Sequence, residues 1–272
     1  HLLSMTATPI PRSLALTVYG DLDISVISQL PKGRKPIGTA IVEVNHRVGM
    51  WQHVKDQIAK GQQVYVVCPL IDPSDKQGAK SVTDVSEQLK KGPLKEYKIG
   101  VLHGRLKSDE KQESIKAFKD GKTDVLVSTT VVEVGVDVPN ATVMVIFGAE
   151  RFGLAQLHQL RGRVGRSDLT SYCYLLSDDA SESALERLRT LEKTQNGFEL
   201  AEKDLELRGA GNIFGNAQSG LPDFQFATPA DVDIMKITFD WTTKLLNEDP
   251  ELEKFPLIRE KIRATFEAAH LE

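Results

Sequence analysis

Four side chains near the middle of the sequence have the types and spacing to grip an anion. Gln156, Gln159, Arg163 and Arg166 follow one another at intervals of three, four and three. A helix over residues 154–166 would present all four on one face. Two guanidiniums and two amides suit a ligand that spreads its charge over several oxygens, because the planar fork of Arg donors matches such oxygens in pairs. Gly162 and Gly165 interrupt the segment, and each costs a helix about 1 kcal/mol relative to Ala. Their presence points to a close backbone approach. Taken alone, the segment has a second reading as a solvated basic helix end.

The elements that must position these residues can be read from hydropathy. Short apolar runs at 39–44, 64–68, 99–102, 125–128, 143–147 and 172–176 alternate with helix-like segments at 48–60, 82–91, 108–119 and 154–166. Continuous apolar strands separated by helices predict a largely parallel sheet covered on both faces. The fold class is therefore α/β, a doubly wound domain whose ligands usually sit beyond the carboxyl ends of the strands. The loops at 103–105, 129–130 and 148–151 follow strands directly. Beyond residue 177 the pattern changes to a helical hairpin, with helices at 182–194 and 198–207 around a break at Gln195, Asn196 and Gly197. A glycine-rich loop at 208–220 and helices at 230–246 and 252–269 follow.

The opening differs. Residues 2–5 and 23–27 read as short strands, 6–11 as a Pro-rich turn, 12–19 as a helix and 31–36 as a linker. Such a set cannot bury a core alone, and His1 stands where an initiator Met would be expected. The expectation is a piece of a longer chain. It divides into 1–36, the end of a preceding domain and linker; 37–178, the α/β domain; 179–222, hairpin and loop; and 223–272, a helical extension.

A net charge of -4 argues against a wholesale basic nucleic-acid coat but leaves room for local basic patches. Cys68 and Cys173 lie inside apolar runs and read as buried thiols of a reducing compartment rather than a disulfide or metal pair. No signal-peptide pattern and no apolar stretch of membrane-spanning length occurs, so the expectation is a cytoplasmic protein. Trp51 and Trp241 fall on helical stretches and read as core.

A phosphate cradle of the P-loop kind needs Gly, four residues, then Gly-Lys-Ser/Thr before a helix. Gly121-Lys122-Thr123 is the candidate, but Lys116 holds the first-glycine position and the segment ends a helix before a strand. It reads as a helix-stopping turn. No strand ends in an acidic pair suited to Mg²⁺. The chain by itself should not carry out phosphoryl transfer, yet Arg163 and Arg166 look like arginine fingers for a phosphate held by another domain.

The segment from Gln159 to Arg166, in the form Gln-x-x-Gly-Arg-x-Gly-Arg, resembles the last motif of superfamily 2 helicases. Residues 128–137, ending in Gly135-Val136-Asp137, resemble their fifth motif. His103-Gly104-Arg105 resembles the fourth, and Thr6-Ala7-Thr8-Pro9 the third. The 208–220 loop after a helical hairpin is similar to the translocation motif shared by the RecG and Mfd families. The short tail with Phe224-Gln225-Phe226 is similar to the RecG family, with an Mfd-like transcription-repair translocase as the alternative. A third reading is a non-catalytic DNA-binding module when the chain is isolated.

The resemblance implies a second RecA-like motor domain of an ATP-dependent DNA helicase acting on branched double-stranded DNA. ATP and Mg²⁺ would be bound mainly by a first motor domain. Single-strand DNA-binding protein is implied as a further partner, and a monomer as the working state. By the same resemblance Arg163 and Arg166 reach the ATP γ-phosphate and Gln159 orients the site. Gly135 and Asp137 lie beside the nucleotide. Gly104, Arg105 and Thr129 contact DNA phosphates, which positions a strand without reading its sequence. Thr6, Thr8, Arg208 and Gln218 couple closure to translocation.

Each residue also has a plainer reading. Asp137 can cap a turn before Pro139, and Arg105 can be a solvated loop charge. Thr129 can satisfy backbone with its hydroxyl, and Arg208 can pair with Asp204 within a helix. His103 and His158, with no partnering Ser, Cys or metal cluster, read as structural.

Overall fold

The computed structural model describes residues 35–69, 76–129, 138–178, 181–208 and 232–269, with the single positions Leu3, Met5, Ser25 and Ile27. At 76–80, 205–208, 232, 233, 235, 236 and 264–269 it describes backbone alone. The chain divides into two compact units, one of residues 1–8 and 28–200, the other of 9–27 and 201–272.

Among the described residues, the first unit holds six strands: β1 (Ile37–Val42), β2 (Gln63–Val67), β3 (Ile99–Leu102), β4 (Val125–Ser128), β5 (Ala141–Ile146) and β6 (Ser171–Leu176). All pair in parallel, in the spatial order β1-β6-β5-β2-β4-β3. The connecting helices are α1 (Arg47–Ala59), α2 (Lys76–Lys91), α3 (Ser108–Lys119) and α4 (Leu154–Arg161), followed by α5 (Glu182–Lys193) and α6 (Gly197–Arg208), which begins in this unit. Crossovers between parallel strands are right-handed. Connections running one way across the sheet therefore place α1 and α2 on one face, and those running back place α3 and α4 on the other.

Packing agrees with that division. Every residue of β2, β4 and β5 is buried, which is why these strands read as continuous apolar runs. Val64, Val66, Val125 and Val127 pack with Met50, Val54 and Ile58 of α1 and Val82 and Leu89 of α2. Tyr65 points to the opposite face and meets Phe118 of α3 with ring centroids 4.9 Å apart. Trp51 packs against that first core beside Phe147, at 6.4 Å. Cys68 and Cys173 are free and buried.

Gly121 ends α3 as the sequence predicted. Its φ is +71°. The Lys122 N–H donates to Ala117 O at 2.9 Å and the Gly121 N–H to Phe118 O at 3.1 Å, the paired bonds of a left-handed helix stop.

β1 is an edge strand. Ile37 N donates to Gln195 Oε1 at 3.2 Å, Gln195 Nε2 donates to Ile37 O at 3.1 Å, and Ile41 N donates to Glu192 Oε1 at 3.1 Å. The end of α5 and the second residue beyond it thus lie along β1. Ala184, Leu188 and Leu191, at spacings of four and three, are the buried stripe of α5.

The second unit contains α7 (Val232–Glu248) and α8 (Pro256–Ala269). The helix expected from residue 252 starts four residues later. Asp249 is buried and its carboxylate accepts from Glu253 N and Lys254 N. That turn delays the helix until Pro256, a residue preorganised for a first helical position. Trp241, expected in a core, is 66% exposed, with Lys244 Nζ 5.8 Å from its ring centroid.

Leu3, Met5, Ser25 and Ile27 are in no strand; the other residues of the strands expected at 2–5 and 23–27 lie outside the described ones.

Candidate functional site

α4 is shorter than predicted. It runs from Leu154 to Arg161, and Gly162 is its C-cap. Two further turn bonds, Arg163 N to Leu160 O and Val164 N to Arg161 O, tighten the exit. Gly165 then adopts φ +73°, a left-handed conformation that L side chains rarely enter. The expected single helical face of Gln156, Gln159, Arg163 and Arg166 is therefore not formed. Gln156 and Gln159 remain on α4, half-buried, while Arg163 and Arg166 sit on the turn beyond it. Arg163 is half-buried and Arg166 is exposed, its Nε donating to Gly162 O at 3.4 Å.

The turn lies at the amino ends of the strands. α4 leaves the carboxyl end of β5 and carries the chain back to the start of β6. Gly165 consequently packs on Ile37 and Ser171, the first residues of β1 and β6. Ser167 Oγ donates to Pro139 O, just ahead of β5, at 3.0 Å. The arginine turn is on the amino edge.

The residues after β3 and β4 occupy the carboxyl edge. Gly104 and Arg105 are exposed. Leu106 N closes their turn on His103 O at 3.3 Å, and Lys111 Nζ of α3 donates to Gly104 O at 2.6 Å. Glu110 accepts from Lys107 N at 2.8 Å, fixing the start of α3. Thr129 is buried, its N–H extending the ladder to Leu102 O at 3.2 Å. Its Oγ1 has no hydrogen-bond partner among the described residues. The structure thus brings Gly104, Arg105 and Thr129 together on one edge and sets Arg163 and Arg166 on the other. Thr6, Thr8, Gly135, Asp137 and Gln218 lie outside the described residues. Of Arg208, the last residue of α6, the backbone is described.

The sequence reading missed two arginines that build the support for the turn. Arg161 is 2% exposed. Its Nη1 donates to Leu191 O at 2.7 Å and Thr194 O at 3.0 Å, and its Nη2 donates to His158 Nδ1 at 3.0 Å. Burial lowers the pKa of this guanidinium, with the nearby Cys173 thiol opposing. Ahead of α4, in the turn Ala149–Arg151, Glu150 O accepts from Arg187 Nη2 of α5 at 2.9 Å. α5 is therefore tied to the end of α4 and to the turn that precedes it. A signal was present: Arg161 continues the apolar spacing of Leu154 and Leu157, and Arg187 that of Ala184, Leu188 and Leu191, so both point inward. His158 is structural, as expected.

Residues 49–168 match the helicase conserved C-terminal domain family. With its parallel sheet wound on both faces, the first unit has the RecA-like fold of helicase C-terminal domains. The chain is 48% identical over 268 residues to the ATP-dependent DNA helicase RecG of Synechocystis sp., covering 98% of this chain and 32% of that protein. It is 51% identical over 225 residues to RecG of Bacillus subtilis, covering 83% and 33%. A structure of RecG bound to a three-way DNA junction superposes with a TM-score of 0.67 at 45% identity, over 86% of this chain and 30% of that one. The chain belongs to the RecG family. It spans between 32% and 40% of the length of the relatives from Synechocystis, Streptococcus pneumoniae and Bacillus subtilis.

Proposed function

We propose that this chain is the second motor half of an ATP-dependent double-stranded DNA translocase that remodels branched DNA, such as stalled forks and four-way junctions, in recombination and repair. The observation that carries the reading is the 45% identity to junction-bound RecG over 86% of the chain, far beyond the helicase domain at 49–168. The relatives reported above favour this reading over an Mfd-like translocase. The four-part division at residues 36, 178 and 222 is part of the same proposal.

The donor set of the amino-edge turn fits a nucleotide phosphate. Arg163 and Arg166 supply two guanidiniums from a turn held by Gly165, Gly162 and the Ser167–Pro139 bond. Bound ATP supplies a phosphoryl group whose oxygens gain charge during transfer. The two arginines stabilise that charge, Gln159 orients them, and Gly135 and Asp137 line the nucleotide. The family resemblance assigns Mg²⁺, with most of the nucleotide, to the other motor half.

At the carboxyl edge, Gly104 offers backbone and Arg105 charge to DNA phosphates. The buried Thr129 hydroxyl is the polar atom that a phosphate oxygen reaching that edge would meet. Thr6, Thr8, Arg208 and Gln218 couple the two activities. A monomeric motor and contact with single-strand DNA-binding protein belong to the same reading, supported by the family resemblance.

The test is ATP turnover with and without branched DNA. The chain alone is expected to show none, and the parent protein carrying both motor halves is expected to be stimulated by DNA. Appreciable turnover by the chain alone would overturn the division of labour.

A further inference from the structure

The carboxyl edge carries a second exposed arginine that the phosphate contacts assigned above do not use. Arg151 ends the single turn Ala149–Arg151 that follows β5. That turn is fixed from several sides. Gly148, ahead of it, holds φ at +56°, and a Cβ there would come within 3.1 Å of Pro69 Cγ, just beyond β2. Arg151 N donates to Gly148 O at 3.0 Å, Phe152 N donates to Ala149 O at 3.2 Å, and Phe152 is buried. A charge on so fixed a turn keeps its place without the ordering cost that a mobile loop would carry.

Below it, the Glu150 side chain is 9% exposed, and its Oε1 lies 3.6 Å from Arg151 Nε. The Arg151 side chain is 56% exposed, and among the described residues it has that one ion pair. A pair so long and so open to water holds weakly. It orients the guanidinium at Nε and leaves its fork of donors able to take an oxyanion.

The sheet order sets the spacing. β5 and β3 are separated by β2 and β4. At about 4.8 Å per strand, their ends stand about 14 Å apart. Arg105 follows β3, the buried Thr129 follows β4 and Arg151 follows β5. A duplex rises about 3.4 Å per nucleotide of one strand, so the two arginines are spaced for phosphates about four nucleotides apart. Toward β6 and β1 the edge changes sign. Glu43 follows β1 and is exposed, and Asp178, beyond β6, holds Arg47 in an ion pair at 2.7 Å.

Resting on the DNA reading of this edge given above, we propose that Arg151 is a further DNA-backbone contact. It grips a phosphate about four nucleotides from the one that meets Arg105, on the same strand. The track ends there, at β5, where the edge turns acidic.

The test uses the parent protein with both motor halves and two synthetic four-way junctions of unrelated sequence. Binding is measured by fluorescence anisotropy against salt concentration for wild type, Arg105→Gln, Arg151→Gln and Arg151→Lys. Arg151→Gln should weaken binding to both junctions equally and lower the slope of log K against log salt by about 1, as Arg105→Gln should. Arg151→Lys keeps the charge and should keep the slope. Single neutral methylphosphonates are then placed along each arm. One position should be silent in Arg151→Gln, about four nucleotides along the same strand from the position silent in Arg105→Gln. An unchanged slope in Arg151→Gln beside a lowered one in Arg105→Gln overturns the contact, and so does a silent position on the opposite strand. Unchanged slopes in both variants overturn the DNA reading of the edge itself.

Discussion

Gly165 lies against Ile37 so tightly that a methyl group on its Cα would come within 2.9 Å of Ile37 Cγ1. The same residue holds φ at +73°. Gly165→Ala therefore meets two costs, about 1–2 kcal/mol for the left-handed backbone and about 1–3 kcal/mol for overpacking against a stiff β-branched neighbour. A loss of about 2–4 kcal/mol is expected by urea denaturation. A loss below about 0.5 kcal/mol would show that the turn relaxes freely around an added methyl.

Arg166 is exposed on that turn and Arg163 half-buried. In the parent protein, Arg166→Ala should lower DNA-stimulated ATP turnover by ~10³-fold or more while DNA affinity holds, because one lost finger removes charge stabilisation from the transition state. Retained turnover with collapsed DNA binding would instead make the amino-edge turn a phosphate-backbone patch.

His53 sets a pH dependence. Gln57 Nε2 donates to its Nε2 at 2.9 Å, so Nδ1 carries the proton toward Tyr174 Oη at 2.7 Å. Burial, then Lys60, lower its pKa below the ordinary value, with Asp56 opposing. Burial and Tyr172 push the Tyr174 hydroxyl up to about 12. The unfolded chain thus takes up a proton at His53 first. The stability contribution is intact above the ordinary His value of about 6.5 and declines as pH falls through it. Denaturation midpoints at about pH 7.5 and pH 5.5 should differ less in His53→Gln than in wild type. An equal drop in both would remove His53 as the source.

Cys68 and Cys173 are buried, and burial pushes both thiols up to about 12. The thiolate is the reactive form. Iodoacetamide at about pH 8 should leave both unlabelled in the folded protein and label both in denaturant, as read by mass spectrometry. Rapid labelling of the folded protein would show that one of the strands opens.

Much of the sheet was legible because its signal is local. β3 and β4 have the bounds that their apolar runs predicted, and α3 ends at the glycine expected to stop it. Arg163 and Arg166 were singled out by type and spacing. Their placement was not, because a 3.6-residue period carried across Gly162 and Gly165 assumes a helix that Gly165 ends. The sheet edge of the arginines was not legible for a related reason. The rule about carboxyl ends concerns loops that follow strands, whereas the arginines lie where α4 delivers the chain to the next strand. Arg161 and Arg187 were hidden by their charge, which suggests surface until their apolar spacing is weighed against it.

The bonds from Gln195 and Glu192 to β1 have a consequence for how the α/β domain can be cut. The outward N–H groups of Ile37 and Ile41 would otherwise form an unpaired strand margin, able to recruit a strand from a second molecule. A chain ended after Asp178 would keep all six strands yet bare that margin, and would tend to self-associate through it. Residues up to Gln195 are needed for a sheet that stays solitary in solution.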